Sequence, residues 1–435
     1  MLTKIRLSNF KTFKDTIFEL APLTLIYGAN AVGKSNFFDA LRFLKAIGQG
    51  TSIRDAIEGH SALGSPHLAI PGLRGGSKEL TTFGSKSNLF RIDATLARGK
   101  RSFRYTIEVN AETYKVVREE LVAPTHMHPG PYVFSTHPEA APLEQALDSP
   151  ALIARFYKAT PGRNPRRSFS AYESILSQFK GRKAETVLNE NAAEEVRTEL
   201  ASITPLELRP EVLRQYASLG RFELGEHGEN FAAVVWMLLQ YAQHYDPSKE
   251  NGDGLLKEAN ERLQAITSWL AQLAPRPVHE LLTESAPTGE VIFSVREGQN
   301  EKPISARSLS DGTLRFAALA FALFGSPGER GRILAVEELE NGINPARFSL
   351  LLRMIEAATQ EDTGTQVLAT THAANILDLA TPDIIKNMLI VGWDAEREAS
   401  RVVPLATLPE FDAVRKETNL SELLSEGWLQ FAADA

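Results

Sequence analysis

The feature that most constrains this chain is an eight-residue run near its start, Gly28-Ala29-Asn30-Ala31-Val32-Gly33-Lys34-Ser35. A short apolar segment, Leu23-Thr24-Leu25-Ile26-Tyr27, precedes it, and Phe37, Leu41 and Leu44 follow at helical spacing. A buried strand, a glycine-rich turn and a helix form the context in which this pattern holds phosphate. The glycines let the backbone turn so that successive N–H groups point at a β-phosphate. The helix start adds the positive end of its dipole. Lys34 is expected to reach the β- and γ-phosphate oxygens and Ser35 to offer its hydroxyl to Mg²⁺, with Asn36 completing the nucleotide-binding set. ATP and Mg²⁺ are the cofactors this implies.

Three later segments extend the pattern. Ser308-Leu309-Ser310-Asp311-Gly312-Thr313 runs into the apolar stretch Leu314-Arg315-Phe316-Ala317-Ala318-Leu319-Ala320. A Ser-x-Gly turn at a helix start is a second anion site, so Ser310, Asp311 and Gly312 are candidate phosphate contacts. In isolation this would be an ordinary helix cap. Next comes Ile333-Leu334-Ala335-Val336-Glu337-Glu338, an apolar strand ending in two carboxylates. Adjacent strand residues face opposite ways, which expects Glu337 on the metal side and Glu338 as the base that polarises water. Finally Gln366-Val367-Leu368-Ala369-Thr370-Thr371-His372 places a histidine at a strand end, where it can hydrogen-bond a γ-phosphate and sense its loss. Two phosphate-binding helix starts, about 280 residues apart, make sense if each nucleotide lies between two copies of the chain arranged head to tail.

With these elements in this order, the sequence resembles the AAA-type ATPases with an ABC-like head, a group related to OLD-family and RecF/SMC-type ATPases. Supporting segments are Leu7-Ser8-Asn9-Phe10-Lys11-Thr12-Phe13-Lys14-Asp15, residues 306–319, and Glu337-Glu338-Leu339-Glu340-Asn341-Gly342-Ile343-Asn344-Pro345. Weaker support comes from residues 224–231 and from Asn419-Leu420-Ser421-Glu422-Leu423-Leu424. The resemblance implies that residues 341–345 form a D-loop at the dimer seam. It departs from the family at Leu339, where proline is usual, and at Asn344, where histidine is usual. No Q-loop glutamine matches well, Gln49 being the nearest. The implied biology is a switch in prokaryotic antiphage or toxin-like systems, controlling a separately encoded effector such as a nuclease or Toprim-like protein. Alternatives are a RecF-like DNA-binding clamp and a slow-turnover ATP-gated scaffold.

The remaining pattern sets the organisation. An α/β head of ABC type is expected, with a mixed sheet, an antiparallel β subdomain and a compact helical insertion. Residues 1–122 would form an N-terminal lobe, 123–285 a mainly helical insertion and 286–435 a C-terminal lobe. Alternating segments from about 79 to 122, broken at Gly99-Lys100, read as an antiparallel hairpin. Residues 124–142 read as a loop and about 145–275 as helical. No cysteine is present, which excludes disulfides and thiolate metal sites. The longest apolar stretches are too short to span a bilayer, so a cytoplasmic protein without membrane contact is expected. Net charge is −7, yet from Arg155 to Lys183 eight basic residues face the single acid Glu173, interleaved with Phe156, Tyr157, Phe169 and Tyr172. That stretch is the candidate face for nucleic acid or an acidic partner. About forty residues follow the last expected core strand, too few for a Toprim domain, so no nuclease activity is expected of the chain itself.

Overall fold

The computed structural model describes residues 1–60, 71–123, 132–136, 149–157, 164–179, 187–220, 223–245, 254–273, 276–299, 302–326, 331–360, 364–373 and 375–408. The chain forms two compact units, one made of Met1–Ile203 with a returning segment that starts at Lys386, the other of Thr204–Ile385.

The first unit opens with strands β1 (Leu2–Phe10), β2 (Phe13–Glu19) and β3 (Leu23–Tyr27), then helices α1 (Lys34–Gln49) and α2 (Ile53–Glu58). Strands β4 (Leu89–Arg98), β5 (Arg101–Asn110), β6 (Lys115–Val122), β7 (Phe134–Ser135), β8 (Ala151–Phe156) and β9 (Arg166–Ser170) follow, and helices α3 (Ile175–Gln178) and α4 (Val187–Ala201) end this part. Eight of the strands form one antiparallel sheet in the order β2-β1-β4-β5-β6-β7-β8-β9. The expected hairpin is present: β4 and β5 pair from Leu89↔Asn110 to Arg98↔Arg101, and Gly99 turns the chain at φ 59°. Phe90, Ile92, Ala94 and Leu96 are all buried, the period-2 signature of a sheet with one covered face. Helix α1 packs there, Phe37 stacking on Phe18 at 4.2 Å and Phe43 meeting Phe90 edge-on at 5.4 Å.

Two buried contacts fix the ends of this layer. A Cβ on Gly48 would lie 2.3 Å from the Ala201 nitrogen, so only glycine lets α1 approach the end of α4. Glu119 on β6 is fully buried and accepts from the Ser174 hydroxyl (2.8 Å), Tyr105 hydroxyl (2.9 Å) and the backbone N–H groups of Ile175 (2.7 Å) and Leu176 (3.1 Å). Burial pushes its carboxyl above the usual range, while these four donors pull it back down.

The second unit contains β10 (Ile203–Leu206), α5 (Pro210–Leu213), α6 (Phe231–Gln243), α7 (Gly254–Leu273), β11 (Val278–Ser285), β12 (Val291–Glu297) and β13 (Ile304–Ser305). Then come α8 (Asp311–Phe324), β14 (Ile333–Val336), α9 (Phe348–Ala358), β15 (Gln366–Thr371), α10 (Ile376–Leu379) and α11 (Pro382–Lys386). Strands β10, β14 and β15 lie side by side, β14 and β15 parallel, while β11, β12 and β13 form an antiparallel meander. Phe231 of α6, Phe293 of β12 and Phe321 of α8 meet edge-to-face at 4.9–6.5 Å in its core. On return to the first unit, β16 (Leu389–Asp394) pairs parallel with β3, and β17 (Ala399–Pro404) closes antiparallel on β16. Parallel pairing explains why β3 is nearly continuous apolar sequence, since four of its five residues are buried.

The architecture is mixed α/β with an antiparallel sheet, as the sequence implies. One correction concerns residues 145–275, expected to be helical with breaks at Pro161, Pro165, Pro205, Pro210 and a loop at 246–254. Strands β8, β9 and β10 lie within that stretch. In β8 the buried positions are Leu152, Ala154 and Phe156, a period of two over only three repeats, too short to outweigh the surrounding helical pattern. Pro205 reads as a breaker but sits in β10, an outer position of its set, where a missing N–H is tolerated. Of the expected loop at 124–142, only 132–136 are described, and they hold β7. Among the described residues no helix is long and apolar enough to cross a membrane.

Candidate functional site

Residues 28–33 connect β3 to α1 in the first unit, and Lys34 and Ser35 open the helix, as the motif requires. Ala31 (φ 66°) and Gly33 (φ 101°) are both left-handed, and Gly33 caps α1. Left-handed residues two apart in a turn that leads into a helix suit an anion nest, in which successive N–H groups face one concavity. Lys34 is buried and donates to the carbonyls of Gly28 (2.6 Å) and Ala29 (2.7 Å), so its ammonium group sits on the loop itself. Ser35 and Asn30 are exposed, Val32 is buried, and Ala29 and Asn36 are half-buried.

The loop is held by residues that sequence reasoning did not single out. A Cβ on Gly28 would lie 2.5 Å from the Val391 carbonyl of β16. On Gly33 it would strike the hydroxyls of Thr12 (2.4 Å) and Ser400 (2.5 Å). Ser400 donates to the Val32 carbonyl (2.7 Å), and Asn36 donates its amide to Thr12 (2.8 Å). Asn36 therefore braces the loop through the β1–β2 turn. Beneath it, the fully buried Asp39 of α1 takes Lys11 (2.5 Å) and Arg42 (2.9 Å), and Lys11 also donates to the Arg74 carbonyl (2.7 Å). The single acid of α1, set between Phe38 and Ala40, was the available signal for Asp39. For Ser400, about 370 residues from the loop, nothing local points to it.

The other candidate residues lie in the second unit. Ser310 caps α8, accepting from the Thr313 N–H at 3.2 Å, and is exposed. Asp311 forms an ion pair with Arg214 (2.5 Å), which also donates to the Leu309 carbonyl (2.9 Å). Gly312 is required sterically, because a Cβ there would approach the Gly342 carbonyl to 2.6 Å. The start of α8 thus rests on the loop at 341–345.

Strand β14 ends at Val336, so the two glutamates lie just past it, and the expected strand alternation is replaced by a turn. Glu337 is buried, and its N–H donates to the Leu206 carbonyl (2.9 Å). Glu338 is exposed and left-handed at φ 51°, a conformation that costs a non-glycine residue roughly 1–2 kcal/mol. Several contacts hold it. Its N–H donates to the Thr370 hydroxyl (3.0 Å), and its carbonyl accepts from Arg315 (3.1 Å) and the Asn341 N–H (3.0 Å). The Asn341 side chain reaches its carboxylate at 3.2 Å. Strained backbone held by several anchors is typical of functional positions.

His372 follows β15, half exposed, and its Nδ1 lies 2.8 Å from Glu340. Its N–H donates to the same oxygen (2.7 Å). Glu340, which sequence reasoning passed over, therefore orients the histidine. The structure also accounts for the two family departures. The Leu339 N–H donates to the Thr370 carbonyl at 2.9 Å, a bond proline could not make. Asn344 caps the turn at Pro345–Arg347 by accepting from the Ala346 N–H at 3.0 Å.

Residues 28–36 thus lie in one unit and Ser310, Asp311, Gly312, Glu337, Glu338 and His372 in the other. Gln49 ends α1, fifteen residues or about 22 Å of helix from its start at Lys34, and so lies far from the loop. On the basic stretch, Arg155 and Arg166 are cross-strand partners in β8 and β9, and the Arg167 guanidinium lies 5.7 Å over the Phe156 ring. Lys158, Arg163, Lys180, Arg182 and Lys183 lie outside the described residues, as does the segment 419–424. Among the described residues no group of three or more His, Asp or Glu side chains is arranged to hold a metal.

Comparison with known proteins bears on the family and the fold. A family model described as "AAA domain, putative AbiEii toxin, Type IV TA system" matches residues 153–378, and a second, described as "AAA domain", matches 4–126. No curated protein matches the sequence. Among solved structures, an SMC head bound to the C-winged helix domain of ScpA aligns with a TM-score of 0.50 at 13% identity, covering 92% of this chain and 97% of that one. The SMC head domain from Thermotoga maritima aligns at 0.41 and 14% identity, over 93% and 98% of the two chains. An SMC head with an extended coiled coil from Pyrococcus furiosus, bound to the C-terminal domain of ScpA, gives 0.48 and 14%, over 92% and 95%. The first of these establishes the fold as an ABC-type head of the SMC kind. With a family model covering more than half its length, the chain belongs to the AAA-domain family described as "putative AbiEii toxin, Type IV TA system", and it has the fold of an SMC head.

Proposed function

We propose that this chain binds Mg-ATP on residues 28–36 and hydrolyses it when a second copy, arranged head to tail, brings Ser310 to the γ-phosphate. The observation that carries this reading is the division of parts: a nest-shaped phosphate loop with Lys34 in one unit, and a serine-capped helix start beside a strained glutamate in the other. Lys34 leaves its loop carbonyls for the β- and γ-phosphates, whose charge it offsets. Ser35 and Glu337 suit Mg²⁺, a hard cation that takes oxygen donors and draws further ligands from phosphate and water. Bound Mg²⁺ supplies charge neutralisation at the phosphates. Glu338 accepts the proton of the attacking water, and His372, aimed by Glu340, contacts the γ-phosphate.

ATP then closes the pair of heads and hydrolysis opens it, and this cycle controls a separately encoded effector such as a nuclease or Toprim-like protein in antiphage defence. The toxin-system description of the family and the ScpA domain carried by a similar solved head support a partner of that kind. A DNA-clamp reading draws its support from Arg155 and Arg166, adjacent across β8 and β9.

Phosphate release, fluorescent-ATP binding and molar mass with ATP test the proposal on two variants. Lys34→Ala is expected to lose binding and pairing together. Glu338→Gln is expected to bind ATP and stay paired while turnover falls by about 100-fold or more, the usual worth of a general base. Wild-type turnover in Glu338→Gln would contradict the assignment.

A further inference from the structure

Arg315 lies on α8, five residues past Ser310, and is buried at 5% exposure. Its Nη1 donates to the Leu208 carbonyl (2.8 Å) and its Nη2 to the Glu338 carbonyl (3.1 Å), while the buried Nε has no partner. Burial lowers its pKa, and the carboxylates of Glu338, Glu340, Glu207 and Asp311 offset only part of that effect. A guanidinium with one donor unused is a poor device for stability, because an apolar side chain of similar size fills such a space without desolvating a charge. Its geometry suits a different purpose. A planar fork can grip two carbonyls at a fixed separation, which a lysine ammonium cannot do. One of the two belongs to the left-handed Glu338, whose N–H is anchored on the other side by Thr370.

We infer that Arg315 is a positioning residue for hydrolysis: it clamps the strained backbone of Glu338 to the helix that begins at Ser310. Contact made at the start of α8 is thereby passed through one rigid helix to the carboxylate that handles water. A second link runs the same way, since Gly312 lies against Gly342 in the loop after Glu338. The inference rests on the reading of Glu338 as the base.

Arg315→Lys keeps the charge and most of the volume, and Arg315→Met removes the charge. Both are expected to bind fluorescent ATP and to pair with ATP as the wild type does, with KM unchanged and kcat lowered on the order of 100-fold, the effect of misplacing a reacting group by about 1 Å. In a Glu338→Gln background, Arg315→Lys is expected to lower turnover no further, because it acts through that carboxylate. Wild-type kcat in folded Arg315→Lys would overturn the inference. So would a parallel loss of ATP affinity, an additive loss in the double variant, or failure of Arg315→Lys to fold, each of which marks a purely structural role. If Glu338→Gln alone keeps wild-type kcat, the reading of the base fails instead.

Discussion

Ala31 carries backbone strain in a loop where glycine would carry none. At φ 66° it is exposed, and a left-handed alanine costs about 1 kcal/mol more than glycine in the folded state. Part of that gain is lost again because glycine leaves the unfolded chain freer. Ala31→Gly is therefore expected to raise stability by a few tenths up to about 1 kcal/mol in urea unfolding. ATP affinity should be equal or tighter. Weakened ATP binding would mean that the Ala31 methyl makes a contact the nest description lacks. The residues legible in the sequence share one property, that their chemistry is local. Gly28, Gly33, Lys34, Ser310 and Glu338 announce themselves through neighbours within a few positions. Thr12, Ser400, Arg315 and Glu340 matter because the fold carries them to a partner, and no local pattern encodes that.

Among the elements, α3 is attached through a titrating group. Four donors converge on Glu119 to hold its first turn, and burial raises the carboxyl above its ordinary value. A group whose folded pKa is raised binds its proton more tightly in the native state. Its contribution is fully present below the unfolded pKa and fades as pH rises through the folded one. The stability difference between wild type and Glu119→Gln should accordingly shrink with rising pH above about 4.5, the unfolded value. The variant should also be less stable by about 1–3 kcal/mol, because one amide oxygen cannot satisfy four donors. Urea titrations across that range check both, and a difference that grows with pH would contradict the assignment. Elements with long, regular patterns were legible: α1, α6, α8, β3 and the β4–β5 hairpin stand where hydrophobic spacing puts them. Strands β8 and β9 were not, since three alternations among arginines and serines do not compete with the helical signal around them.

For the whole molecule, the governing claim is that one chain supplies half of each hydrolytic site. A head-to-tail pair has two equivalent sites, each built from the Lys34 loop of one protomer and the Ser310 turn of its partner. Two defects on different halves should then rescue one another. Lys34→Ala destroys a protomer's own loop, and Ser310→Arg fills the exposed turn it offers to its partner, so each homodimer should be inactive. A mixed dimer holds one site with both halves intact and one with neither. The most direct measurement is phosphate release from equal amounts of the two purified variants, alone and after mixing with ATP. Head-to-tail sharing predicts that mixing restores activity, up to about half the wild-type rate, since only a mixed pair holds an intact site and it has one working site of two. No activity above the separate variants, or full activity from either variant alone, would contradict it.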